Sequence, residues 1–322
     1  MSRALLAIAV GAVLTGCQSR QDVSYQVREW PLENLSGHIV ETEHYLIYTT
    51  VSDSMFDRGC AELAEAQYRR FAKDVAVHPE GKMKVYVFAN RGQWEAYTQV
   101  AMGPRAKDYL RIRDGGYSAN ETSVLYYLRR YPTLAVLAHE LFHQYLDCAG
   151  DEPVPAWLNE GMACYYEAHE WNGTKPVFTP KNNTFRRETL GEAYQTEQLY
   201  PLTEILATHA GEVSKGSSMK VGTYYAQVWA LVLFLRDGAG GKYAEGFKLL
   251  LAEMGTGALK TRANAYAAAS AGQRMSFGEV VFRQYITEDF ETFEAEFGQF
   301  VKDLLGWEKK GMGALVSQLW PW

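Results

Sequence analysis

The sequence predicts an α+β protein, with strands and helices alternating in the first half and a mostly helical second half. Three observations carry that expectation. Short runs of β-branched and aromatic residues precede residue 130, and Tyr45-Leu46-Ile47-Tyr48-Thr49-Thr50-Val51 is the clearest of them. Between these runs, and again beyond residue 199, apolar residues recur at helical spacing. The chain of 322 residues is 47% hydrophobic, enough to bury a sizeable core, which we expect as two subdomains over 38–170 and 171–322.

Taken in order, Arg3 is followed by an apolar run from Ala4 to Leu14, too short to span a bilayer and of the size of a signal-peptide core. Residues 1–16 are therefore expected to be a signal peptide. Leu14-Thr15-Gly16-Cys17 resembles a bacterial lipobox, which implies a lipid on Cys17 and attachment to a membrane of the cell envelope. Gln18 stands where an Asp would signal inner-membrane retention, so the resemblance implies an outer-membrane or surface face. Residues 17–37 are polar, with Pro31 and no periodicity, and read as a tether. A strand is expected over 38–51, then a helix capped by Asp53 with Met55, Cys60, Leu63, Ala64, Phe71 and Val75 at helical spacing. A strand over 82–89 and a helix over 90–100 follow.

The charged stretch 101–113 holds Gly103-Pro104 and reads as an exposed loop, and 115–127 as an extended region. Tyr131-Pro132 opens a helix that Gly150 stops, because proline in a first turn forfeits no hydrogen bond. After the Pro153-Val154-Pro155 turn, a second helix is expected over 156–168. Residues 172–198 are rich in Gly, Asn and Thr and read as a long loop. Helices are expected over 199–210, 223–236, 243–254 and 289–305, the second apolar on all sides and ended by Gly238. The net charge of -6 and the lack of any Lys/Arg run argue against a nucleic-acid partner.

The chemistry concentrates in Leu137-Ala138-His139-Glu140-Leu141-Phe142-His143. On a helix His139 and His143 lie one turn apart on one face, so both imidazoles can reach one metal ion while Glu140 leans over it. Catalytic zinc takes three protein ligands and keeps an open position for water, so the pair calls for a third ligand downstream. Trp157-Leu158-Asn159-Glu160-Gly161 supplies a carboxylate there.

Together these motifs resemble the gluzincin metallopeptidases, and the Trp-Leu-Asn-Glu-Gly run is similar to that of zinc aminopeptidases. The resemblance implies a zincin-like fold, with a small mixed sheet packed on the zinc helix. It also implies Zn2+ held by His139, His143 and Glu160, with Glu140 as general base toward a peptide or protein substrate. The strand just before the zinc helix would pair with substrate, the alternative for that stretch being a plain hairpin. The Gly-Ala-Met-Glu-Asn motif by which zinc aminopeptidases grip a free amino terminus is missing. For the donor to the developing oxyanion, Tyr224 and Tyr225 are the candidates, with His209 as the alternate. Glu167 and Asp147 are placed to orient the imidazoles. With Cys17 lipidated, Cys60, Cys148 and Cys164 allow at most one disulfide, which could tie the two zinc helices together. His38, His44, His78 and His169 have no spacing partner and read as ordinary residues. Two other readings stay open: a non-catalytic binding or scaffold module, and a zinc amidase acting on cell-wall peptides.

Overall fold

In the computed structural model, residues 22–31, 36–113, 115–150, 152–209, 218–270 and 274–306 are described. The expected signal peptide and Cys17 lie outside them. One mixed sheet organises the first half, in the order β1-β2-β3-β4-β6-β5. Its strands are β1 (Gln26–Pro31), β2 (Ser36–Glu41), β3 (Tyr45–Thr49), β4 (Met83–Phe88), β5 (Gly116–Ala119) and β6 (Thr122–Tyr126). The outer pairs β1/β2, β2/β3 and β5/β6 are antiparallel, whereas β3/β4 and β4/β6 are parallel.

Alternation along the strands sorts their side chains to two faces. Tyr45, Ile47, Met83, Val85, Val87 and Leu125 face α1 (Ser54–Asp74) and α4 (Arg130–Ala149), whose Phe56, Leu63, Phe71, Leu134, Leu141 and Phe142 complete that layer. Phe88, Val124 and Tyr126 face the other way, onto Trp94 and Met102 of α2 (Arg91–Met102) and Ala106 of α3 (Ala106–Tyr109). Asp53 caps α1 as expected, accepting from the N–H groups of Met55 and Phe56.

Several expectations are corrected. Residues 26–31 of the expected tether form the edge strand β1, which is mostly exposed and held by backbone pairing with β2. Only Trp30 packs inward, edge-on to Tyr48, so no apolar alternation announces the strand. The single strand over 38–51 is two strands turning at residues 42–44. The loop expected over 101–113 instead holds the end of α2 and the short α3, buried through Met102 and Ala106. The extended region 115–127 is a hairpin whose turn residues, Asn120 and Glu121, have φ of 52° and 60°, the left-handed pair that matches strand twist. β6 is thus interior, and β5 is the edge opposite β1.

Beyond α4 come α5 (Ala156–Glu167), a small hairpin of β7 (His169–Asn172) and β8 (Lys175–Phe178), and α6 (Thr184–Gln195). The hairpin and α6 occupy the stretch expected as a long loop; α6 carries only two buried residues, Leu190 and Ala193, so its polar sequence hides its periodicity. Then follow α7 (Leu202–Ala207), α8 (Ser218–Asp237), α9 (Ala244–Glu253), α10 (Ala258–Ala269), α11 (Phe277–Tyr285) and α12 (Phe290–Leu305). Of these, α10 and α11 were not expected, and α7 is shorter than the helix expected over 199–210. One continuous apolar core runs from the sheet through α4, α5 and α8 into the last helices. No helix among the described residues is long and apolar enough to cross a membrane.

Candidate metal centre

α4 and α5 meet at the residues singled out above. The Nε2 atoms of His139 and His143 lie 3.1 Å apart, and Glu160 Oε2 is 3.4 Å and 3.3 Å from them. The other ring nitrogens define the tautomers. His139 Nδ1–H donates to Glu167 Oε1 at 2.8 Å and His143 Nδ1–H donates to Asn159 Oδ1 at 2.9 Å. Both acceptors lack a proton to give, so each neutral ring turns its Nε2 lone pair toward the other. Glu160 Oε2 is buried and has no hydrogen-bond partner.

Three electron-rich atoms thus face one another in a site shielded from water. A proton on one ring would relieve only part of that repulsion, whereas a cation at the centre relieves all of it. The spacing agrees: ligands about 2.0–2.1 Å from a tetrahedral ion stand about 3.3 Å from each other. The donor set of two imidazoles and one carboxylate suits Zn2+ with a position left over. Burial opposes ionisation of Glu160, yet a proton on the facing imidazoles outweighs it and holds the carboxyl far below the usual range; a cation held between the rings would act in the same direction.

Glu140 is 7% exposed on the same helix. Burial pushes its carboxyl above the ordinary value, against the pull of His139 and His143 and with a contribution from Glu160. Its backbone carbonyl accepts from Ser118 Oγ at 2.7 Å, which pins the β5–β6 hairpin against this turn of α4. Gln144, fully buried, donates to the carbonyls of Lys84 and Glu121 at 2.7 Å and 2.8 Å and fixes α4 to the sheet.

α5 is brought close to α8 by Gly161. A Cβ there would stand 2.8 Å from Val228 O and from Val232 Cγ2, so only glycine allows the approach. On α8, the Tyr225 ring lies 5.9 Å from that of His139 and Tyr224 packs edge-on to Tyr225. Burial, then Glu160, raises both hydroxyl pKa values. Tyr224 is 4% exposed and its hydroxyl has no partner; Tyr225 is half-buried. His209 is exposed beyond the end of α7.

Glu167 orients an imidazole, as expected, but Asp147 does not: it is exposed on α4, and the ring nitrogens it would serve are held by Glu167 and Asn159. Sequence reasoning missed Asn159, although it adjoins the carboxylate ligand, and also missed Asn183 and Arg186. Arg186 grips Glu167 through Nη2 at 2.6 Å and Nε at 3.0 Å, and Asn183 Nδ2 adds a bond of 2.7 Å. Their only sequence signal was an Asn placed to cap a helix, hidden in a polar stretch.

Cys60, Cys148 and Cys164 are all free thiols, so the disulfide considered between α4 and α5 is not formed. Cys164 sits beside His139 and Glu167, but burial pushes its thiol up to about 11 and Arg186 already neutralises that cluster. In a third constellation, Glu43, His44 and Glu65, the His44 Nδ1 is hydrogen-bonded to Glu65 Oε2 at 2.8 Å. His38, His78 and His169 are likewise hydrogen-bonded, to Asp57, Tyr145 and the Glu167 carbonyl. A surface hollow lined by Met55, Arg58, Arg130, Leu134 and Trp171 shares no residue with the centre. No family model, no curated protein and no solved structure matches this chain.

Proposed function

We propose that the chain is a zinc-dependent peptidase of zincin-like architecture, tethered to the bacterial cell envelope by a lipid on Cys17. The observation that carries the reading is the triangle of His139 Nε2, His143 Nε2 and Glu160 Oε2, whose carboxylate oxygen is buried and has no hydrogen-bond partner. Zn2+ bound there would polarise a substrate carbonyl and lower the pKa of water to roughly 7.

The chain's own groups do the rest. Glu140 takes a proton on its carboxylate and returns it to the leaving amine, a role suited to a carboxyl raised by burial. Tyr225, beside His139 and partly open to solvent, is the candidate donor to the oxygen that gains charge. The free edge of β5, held next to Glu140 by Ser118, offers backbone groups to an extended peptide. Asn159 and Glu167 hold the two rings so that Nε2 stays the ligand atom.

Zinc content and cleavage of a peptide library test this reading together. E140Q should keep the metal and lose about 10²–10⁴-fold in turnover. Zinc-loaded protein that cleaves nothing, and behaves identically as E140Q, would instead be a binding module. Digestion of muropeptides alone would point to the amidase.

A further inference from the structure

We infer that Arg186 is a positioning residue for the metal centre, locking Glu167, and through it His139, in the arrangement that presents Nε2 to an ion. The inference rests on the zinc reading above. Its ground is a count of lone pairs. A carboxylate offers about four acceptor sites, and Glu167 fills them: Oε1 accepts from His139 Nδ1 and Arg186 Nη2, Oε2 from Arg186 Nε and Asn183 Nδ2. A carboxylate so saturated cannot turn without losing a donor, and the imidazole bonded to it cannot turn either.

The rest of the environment makes the grip specific to arginine. Arg186 and Glu167 side chains are 12% and 10% exposed, so solvent does little to replace a lost partner. The guanidinium also lies over the Tyr225 ring, 5.1 Å from its centroid. One side chain on α6 therefore touches groups from α5 and α8, and reaches α4 through Glu167. Lysine would keep the charge but offers neither the fork nor the flat face.

The alternative is that Arg186 merely ties α6 to α5. Competition between the full chain and a chromophoric chelator for zinc separates the two, applied to the wild type, R186K and R186A. Circular dichroism and a urea melt of each metal-free protein accompany it. R186A should bind zinc about 10–100-fold more weakly, R186K should fall between, and millimolar guanidinium should restore part of the affinity of R186A. If R186A keeps the wild-type fold and binds zinc as tightly as the wild type, the inference is overturned. Should R186A fail to fold, R186K decides: folded R186K with wild-type affinity overturns the inference, and weakened affinity supports it. Wild-type protein that takes up no zinc overturns the reading of the centre itself, a result distinct from equal affinity in wild type and variants.

Discussion

Gly161 directly follows Glu160, and its missing side chain is what lets α5 lie against the backbone of α8 at Val228. G161A should lower stability by about 1–3 kcal/mol through overpacking. Because the same shift moves Glu160, zinc affinity should fall with the urea midpoint. The two tyrosines should separate in mutants. Y225F is expected to cut kcat by about 10²–10³-fold, the usual loss for one oxyanion donor. Y224F removes a buried hydroxyl that has no partner and should leave stability equal or higher. Glu167 gives a pH signature. Burial works against its charge, yet Arg186 and His139 bring the carboxyl down to about 2 from 4.5. A folded-state value below the unfolded one means a contribution complete above pH 4.5 and lost as pH falls through about 2. Urea melts of metal-free wild type and E167Q should therefore converge on acidification.

At the scale of elements, the centre depends on how α4 is anchored to the sheet and how α6 is anchored to α5. Gln144 makes the first link with two carbonyls and with Ser123 Oγ, which donates to Gln144 Oε1 at 3.1 Å. Q144L would leave those groups buried and unpaired, at about 1–3 kcal/mol each before relaxation. Chemical denaturation should show the loss, and the Glu140 turn should loosen from the β5–β6 hairpin. Asn183 makes the second link, since it caps α6 and also donates to Glu167. The same element that reads as a loop in the sequence thus holds the ring of a candidate ligand.

For the molecule as a whole, the sheet layer and the helical half share one apolar core, and the centre lies where they join through α4, α5 and α8. Metal binding should therefore be felt globally. With zinc roughly 100-fold above its Kd, binding adds about 2.7 kcal/mol to folding. Chelation should accordingly lower Tm by roughly 5 °C, as read by calorimetry with and without a chelator.

Much of this was legible in the sequence because its signals are local. His139 and His143 share a helix face by spacing alone, and the strands at 45–49 and 83–88 announce themselves through β-branched and aromatic runs. What escaped was set by partners far along the chain. β1 is a strand because β2 offers it backbone bonds, and α6 is a helix seated by Glu167 and α8 although its own apolar face is thin. The sequence by itself determined the mixed α+β class, the helix pair and the residues on the faces where those two helices meet. Only the tertiary structure decided which strand is the sheet edge, which residues hold each ring, and that Arg186 saturates Glu167. Those outcomes depend on hydrogen bonds between segments tens of residues apart, and such bonds leave no periodicity in the chain.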